Sequence, residues 1–85
     1  MTFIEICRKI VSEHQAHVIR ERKGEPNQYD CKPWGEGKRG GWLLIDGFSA
    51  SAVVKVYDAL NDDNKAKFLK LKPLVAVNVS FKFIK

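Results

Sequence analysis

No stretch of this chain approaches the ~18 consecutive apolar residues that a membrane-spanning helix needs. The start, Met1-Thr2-Phe3-Ile4-Glu5-Ile6-Cys7-Arg8, lacks the apolar core of a secretory signal. A cytoplasmic protein with no membrane partner is expected. Cysteine is scarce: Cys7 and Cys31 are the only two, and in that compartment they are read as reduced thiols. They form no C-x-x-C pair and have no compact ligand spacing with His14 and His17, so no metal site is expected. Asn78-Val79-Ser80 matches a glycosylation sequon, which carries no meaning without secretion. Length is short as well. The 85 residues make one small domain, 1–85, with little room for a deep, water-free active site. Acidic residues are outnumbered, 10 against 15 Lys and Arg, and most of the +5 excess is C-terminal. There Lys65, Lys67, Lys70, Lys72, Lys82 and Lys85 face only Asp62 and Asp63. Scattered lysine of this kind reads first as a solvated face and second as a site for an acidic partner.

Against these absences stands one unusual stretch, Cys31-Lys32-Pro33-Trp34-Gly35-Glu36-Gly37-Lys38-Arg39-Gly40-Gly41-Trp42. Proline and four glycines bar it from helix. It holds both tryptophans and three cations. With the preceding Gly24, Pro26, Asn27 and Asp30 it makes residues 23–41 a long Gly/Pro-rich loop, and long loops in compact domains are usually functional or disordered.

The flanks are well patterned. Phe3, Ile6, Cys7, Ile10 and Val11 recur at helical spacing, with Thr2 and Glu5 placed for a capping box. That helix ends near Gln15 or runs on towards Arg22. Ala16, Val18 and Arg20 alternate with His17, Ile19 and Glu21, and the β-branched pair favours a strand over His17–Arg22. Trp42–Ile45 reads as a buried strand closed by an Asp46-Gly47 turn. Ser49 or Ser51 then caps a helix carrying Val53, Val56, Tyr57 and Leu60 on one face, with Phe48 as a hydrophobic staple before the cap. Asn61 or Asp62 caps another helix, which carries Phe68, Leu69 and Leu71 and which Pro73 stops. In the last segment Val75, Val77, Val79, Phe81 and Phe83 alternate with Ala76, Asn78, Ser80 and Lys82, the pattern of a half-buried strand. The expected fold is α+β, in the order α-β-loop-β-α-α-β. It comprises a small, mainly antiparallel sheet of about three strands with helices packed on one face. The long last strand would leave an unpaired edge, which permits a homodimer without requiring one.

Gly35-Glu36-Gly37-Lys38-Arg39-Gly40 matches G-x-G-x-x-G, but Pro33 and Trp34 precede it and a strand follows. The dinucleotide fingerprint needs a strand before and a helix after. The P-loop pattern also fails, because Lys32 stands where its first glycine belongs and Arg39 where its Ser or Thr belongs. Ser49 and Ser51 are better explained as caps than as nucleophiles, and Asp46 as a turn former than as a catalytic carboxylate. The chain reads as non-enzymatic, without a cofactor.

Binding remains. Tyr29, Lys32, Trp34, Lys38, Arg39 and Trp42 are the candidate contact residues, since tryptophan, tyrosine and arginine most often anchor protein interfaces. Trp34 and Arg39 would be anchors and Lys38 a steering charge. The alternative is nucleic acid, with Lys32, Lys38 and Arg39 on phosphates, Trp34 or Tyr29 stacked on a base, and the C-terminal lysines assisting. From Arg22 to Gly41, however, five cations are mixed with Glu25, Asp30 and Glu36, which suits a protein better than a phosphate backbone.

From Gly47 onward the run Phe48-Ser49-Ala50-Ser51-Ala52-Val53-Val54-Lys55-Val56-Tyr57-Asp58-Ala59-Leu60-Asn61, with Asn64-Lys65 and Lys67-Phe68, resembles small uncharacterised proteins of bacteriophages and other bacterial mobile elements. The likeness spans Gly47–Lys85. It implies a bacterial cytoplasmic setting and an accessory role, such as modulating a host factor. It implies no catalytic residues and does not reach the Trp34–Trp42 loop.

Overall fold

The computed structural model describes residues 1–35 and 40–84, the last of these by its backbone. The class is α+β. Helix α1 (Phe3–Glu13) is followed by strands β1 (His17–Glu21), β2 (Tyr29–Pro33) and β3 (Leu43–Ile45). Helices α2 (Gly47–Ala59), α3 (Asp62–Leu69) and α4 (Pro73–Ile84) complete the chain. The three strands form one antiparallel sheet in the order β2-β1-β3. Helix α2 packs against both α1 and α4.

Local chemistry sets the first helix. The Thr2 hydroxyl accepts the Glu5 N–H and the Glu5 carboxylate accepts the Thr2 N–H, which closes the capping box. Ile6, Cys7 and Ile10 are fully enclosed. His14, left-handed at φ 54°, ends the helix, and the chain turns directly into β1. A bidentate ion pair from Arg8 to Asp58 ties α1 to α2 across the surface. The hydrogen bond from Arg8 holds the Asp58 carboxyl below its usual pKa. A depressed folded-state pKa stabilises above the unfolded value, and that contribution is lost as pH falls through the folded one. Asp58→Asn is therefore expected to lower Tm at neutral pH and to match wild type in strong acid. An unchanged difference in Tm across that range would remove the ion pair from the account.

Residues 23–41 are not one loop. Arg22 donates to the Gln28 carbonyl at 2.9 Å and Trp34 donates to the Ala16 carbonyl at 2.9 Å, so the intervening residues pair with β1 as a hairpin. The alternation of that ladder turns the odd-numbered backbone groups of β2 to the outer edge. Pro33, which lacks an N–H, therefore costs no ladder bond there. At the same edge the Tyr29 N–H donates to the Met1 carbonyl at 2.8 Å.

The last segment is the main departure from expectation: residues 73–84 are a helix, not a strand. A long strand would need a long partner edge. Beside β2 that edge is interrupted by Pro33 and occupied at Tyr29 by Met1, and β3 has only three residues. A helix satisfies its own backbone groups without any such edge. Pro73 therefore opens α4 at the position where its missing N–H is harmless, instead of merely ending α3. The burial follows a helix and not an alternating strand: Val77 and Val79 still pack against the core, partly buried. Ala76 and Ser80, four apart, are buried, whereas Leu74, Val75 and Phe83 are exposed. The Ser80 Oγ donates to the Ala76 carbonyl at 2.8 Å, which satisfies the buried hydroxyl. The expected strand edge does not exist, and the argument for a homodimer through it goes with it.

Two smaller corrections concern α2. Its cap is Asp46, whose carboxylate accepts the Ser49 N–H at 2.7 Å, and neither Ser49 nor Ser51 plays that part. Asp46-Gly47 is thus the entry to a helix. Phe48 lies inside its first turn, 77% exposed and against Phe81, so it is not a staple. Asn61 caps α3 by accepting the Asn64 N–H, as expected.

The core lies between the helices and one face of the sheet. Phe3, Ile6, Ile10, Val53 and Phe68 cluster there with Ile19, Tyr29 and Ile45 of the strands. The other sheet face contributes nothing to that cluster.

Candidate binding face

Strand alternation sorts the sheet residues onto two faces. His17 and Ile19 of β1 share the inner face with Tyr29 and Cys31 of β2 and Leu43 and Ile45 of β3. On the outer face Val18 sits between Lys32 and Leu44, and Arg20 opposes Asp30. The step before Leu43 returns Trp42 to this outer side. There the Arg20 guanidinium carbon lies 4.4 Å and the Lys32 Nζ 4.7 Å from the centre of the Trp42 ring. Both are within cation–π range. Val18 is 4% exposed although it lies outside the main core, so the outer face has a small apolar floor of its own. Leu44 is 47% and Trp34 54% exposed.

Charge on this face is mixed. Asp30 lies 3.5 Å from Arg20 and 3.4 Å from Arg22, and Arg22 also meets Glu25 at 3.6 Å. These exposed pairs contribute little to stability. They do hold the arginines over the sheet and offset part of their charge.

The structure brings Lys32 and Trp42 to one face; Trp34, just past β2, continues the ladder through its N–H to the Ala16 carbonyl, and strand alternation assigns it to the same side. Tyr29 leaves the set. It points inward, 5% exposed, with its ring 6.4 Å from that of Phe3, because its odd-numbered place in β2 faces the core. Burial, with Glu21 nearby, raises its phenol pKa. Lys38 and Arg39 lie outside the described residues. Two residues of the face escaped sequence reading. Arg20 was legible in principle, since the alternation over residues 16–22 puts it on the side of Val18. Leu43-Leu44-Ile45 is apolar throughout and reads as wholly buried; only the two-residue period separates Leu44 from its neighbours.

The other chemical candidates are used structurally. Asp46 is occupied as a cap. His17 is buried on the inner face, its Nδ1 2.9 Å from the Gln15 carbonyl. Among the described residues no three His, Cys, Asp or Glu side chains come together as metal ligands. No helix of the described chain is long and apolar enough to cross a membrane. Cys7 is enclosed, and burial pushes its thiol up to about 12. Cys31 is only partly buried. A thiol-reactive aromatic disulfide is expected to modify Cys31 in the native protein and to reach Cys7 only in denaturant. Equal native reactivity would mean that α1 opens readily.

No family model, curated protein or solved structure matches the chain.

Proposed function

We propose that this chain is a small, non-enzymatic protein-binding module that acts as an accessory factor in the cytoplasm by engaging and modulating a protein partner. The observation that carries the reading is the outer sheet face. It lies outside the main core and holds Trp42 beside Arg20 and Lys32, next to exposed Leu44 and Trp34. Aromatic and arginine side chains around a small apolar floor are the groups that dominate protein interfaces. The cation contacts hold the indole in one place before binding, which reduces the entropy lost on association. A host factor, in keeping with the resemblance to mobile-element proteins, is the partner proposed.

The nucleic-acid reading is favoured by the three cations Arg20, Arg22 and Lys32 at the same sheet face. It is opposed by Asp30 and Glu25 among them and by cations already engaged with the Trp42 ring. Capture from a bacterial lysate, with and without nuclease and over a salt series, separates the two. A polypeptide retained after nuclease, which binds again once purified, supports the protein reading. Capture that disappears with nuclease and falls steeply with salt, as release of counterions from phosphates demands, overturns it.

A further inference from the structure

The helices carry a second surface that neither the fold nor the sheet face explains. Two depressions, of about 490 Å³ and 290 Å³, adjoin one another between α2, α3 and the end of α4. They share Val56, Leu60 and Phe83, and the smaller adds Phe68 and Leu71. Phe83 is 70% exposed, an unusual position for a phenylalanine with an apolar wall beside it. Among the described residues the charged side chains that line this groove are Lys55 and Lys67, with no acidic one beside them. Neither lysine has an ion-pair partner among the described residues.

We propose that this groove is a docking site for an acidic amphipathic helix of a partner protein, distinct from the outer sheet face. The floor is a continuous apolar strip, as helix-in-groove recognition requires. The ligand's apolar residues at i, i+3, i+4 and i+7 would cover Val56, Leu60 and Phe83, while its carboxylates meet Lys55 and Lys67. Charge decides the occupant. A second copy of this chain would bring its own Lys55 and Lys67 to the same contact and add a second +5 charge, so self-association is opposed. A basic helix meets the same repulsion. The site depends on no residue of the sheet face, so the two proposals stand or fall separately.

The test uses the full chain and fluorescent helical peptides of about three turns. One has leucine at the spacing above and glutamate elsewhere, and the other has the same leucines with lysine in place of glutamate. Anisotropy is expected to show saturable binding of the acidic peptide and none of the basic one. Phe83→Asp, at an exposed position, is expected to weaken binding at least about tenfold, as for a central interface anchor. Lys67→Glu is expected to weaken it and to make the groove accept the basic peptide. Circular dichroism establishes that each variant is folded. Equal binding of both peptides, or acidic binding that ignores Phe83→Asp, overturns the proposal. Concentration-dependent sedimentation of the wild type that Phe83→Asp abolishes also overturns it, because the occupant would then be a second copy.

Discussion

Ser80→Leu is expected to destabilise the protein by about 2 kcal/mol, within the range for overpacking a filled interior. In a domain of this size that corresponds to a fall in Tm of roughly 10 °C. Ser80 is fully enclosed, Ala76 one turn before it is buried too, and the helix that carries them packs against α2. On α2, Ala50 and Val53 are fully buried as well. A leucine at position 80 has no space to enter and would push the helices apart. The paired control is Val75→Ser. Val75 is 47% exposed, so its loss is expected to change stability by no more than about 0.5 kcal/mol. An extended C-terminal segment demands the reverse, with Val75 costly to replace and Ser80 free. Chemical denaturation of the two variants beside wild type checks this directly. A Val75→Ser variant that loses more than Ser80→Leu would contradict the helical assignment.

The double variant Trp34→Ala, Leu44→Thr is expected to lose partner binding by at least about 30-fold while remaining folded. Each truncation at an interface centre costs on the order of 2 kcal/mol when the residue is a true anchor. Both side chains are about half exposed, so their loss opens no cavity in the core. Threonine is β-branched and so suits a place in β3. Trp42 is left intact, because Arg20 and Lys32 of the two neighbouring strands both pack on its ring and its removal would also disturb the sheet. Binding affinity and Tm must be read together. Affinity that falls with an unchanged Tm supports the face, and affinity that survives the double change removes it.

What could be read from sequence follows a physical divide. Where a local signal has one solution, it was legible. The Thr2–Glu5 box, the enclosed Cys7, the Asn61 cap and the β-branched pair of β1 all stand as expected, within an α+β fold with a three-stranded antiparallel sheet. Where two structures share a pattern, it was not. The alternation from Val75 to Phe83 also places Ala76 and Ser80 four apart, which is a helical stripe. Only the lack of a long free sheet edge decides between them, and that is a tertiary fact. The same holds for β2, whose Asp30, Lys32 and Pro33 read as loop residues until pairing shows that Pro33 lies on an edge. At the candidate site, the aromatic and basic composition singled out residues 29–42, and the structure places Lys32 and Trp42 of that set together. The side of the sheet each residue faces depended on register, which excluded Tyr29 and brought in Arg20 and Leu44.

The most direct test of the binding face uses the two indole N–H signals in a nitrogen-edited NMR titration with the captured, purified partner. Trp34 and Trp42 are the only tryptophans, so the two signals report on this face alone. The account predicts that both shift or broaden together as the partner is added, along with the Leu44 methyl groups. Indole signals that stay fixed while the methyl groups of Val56 and Leu60 move would place the partner on the helices and contradict it.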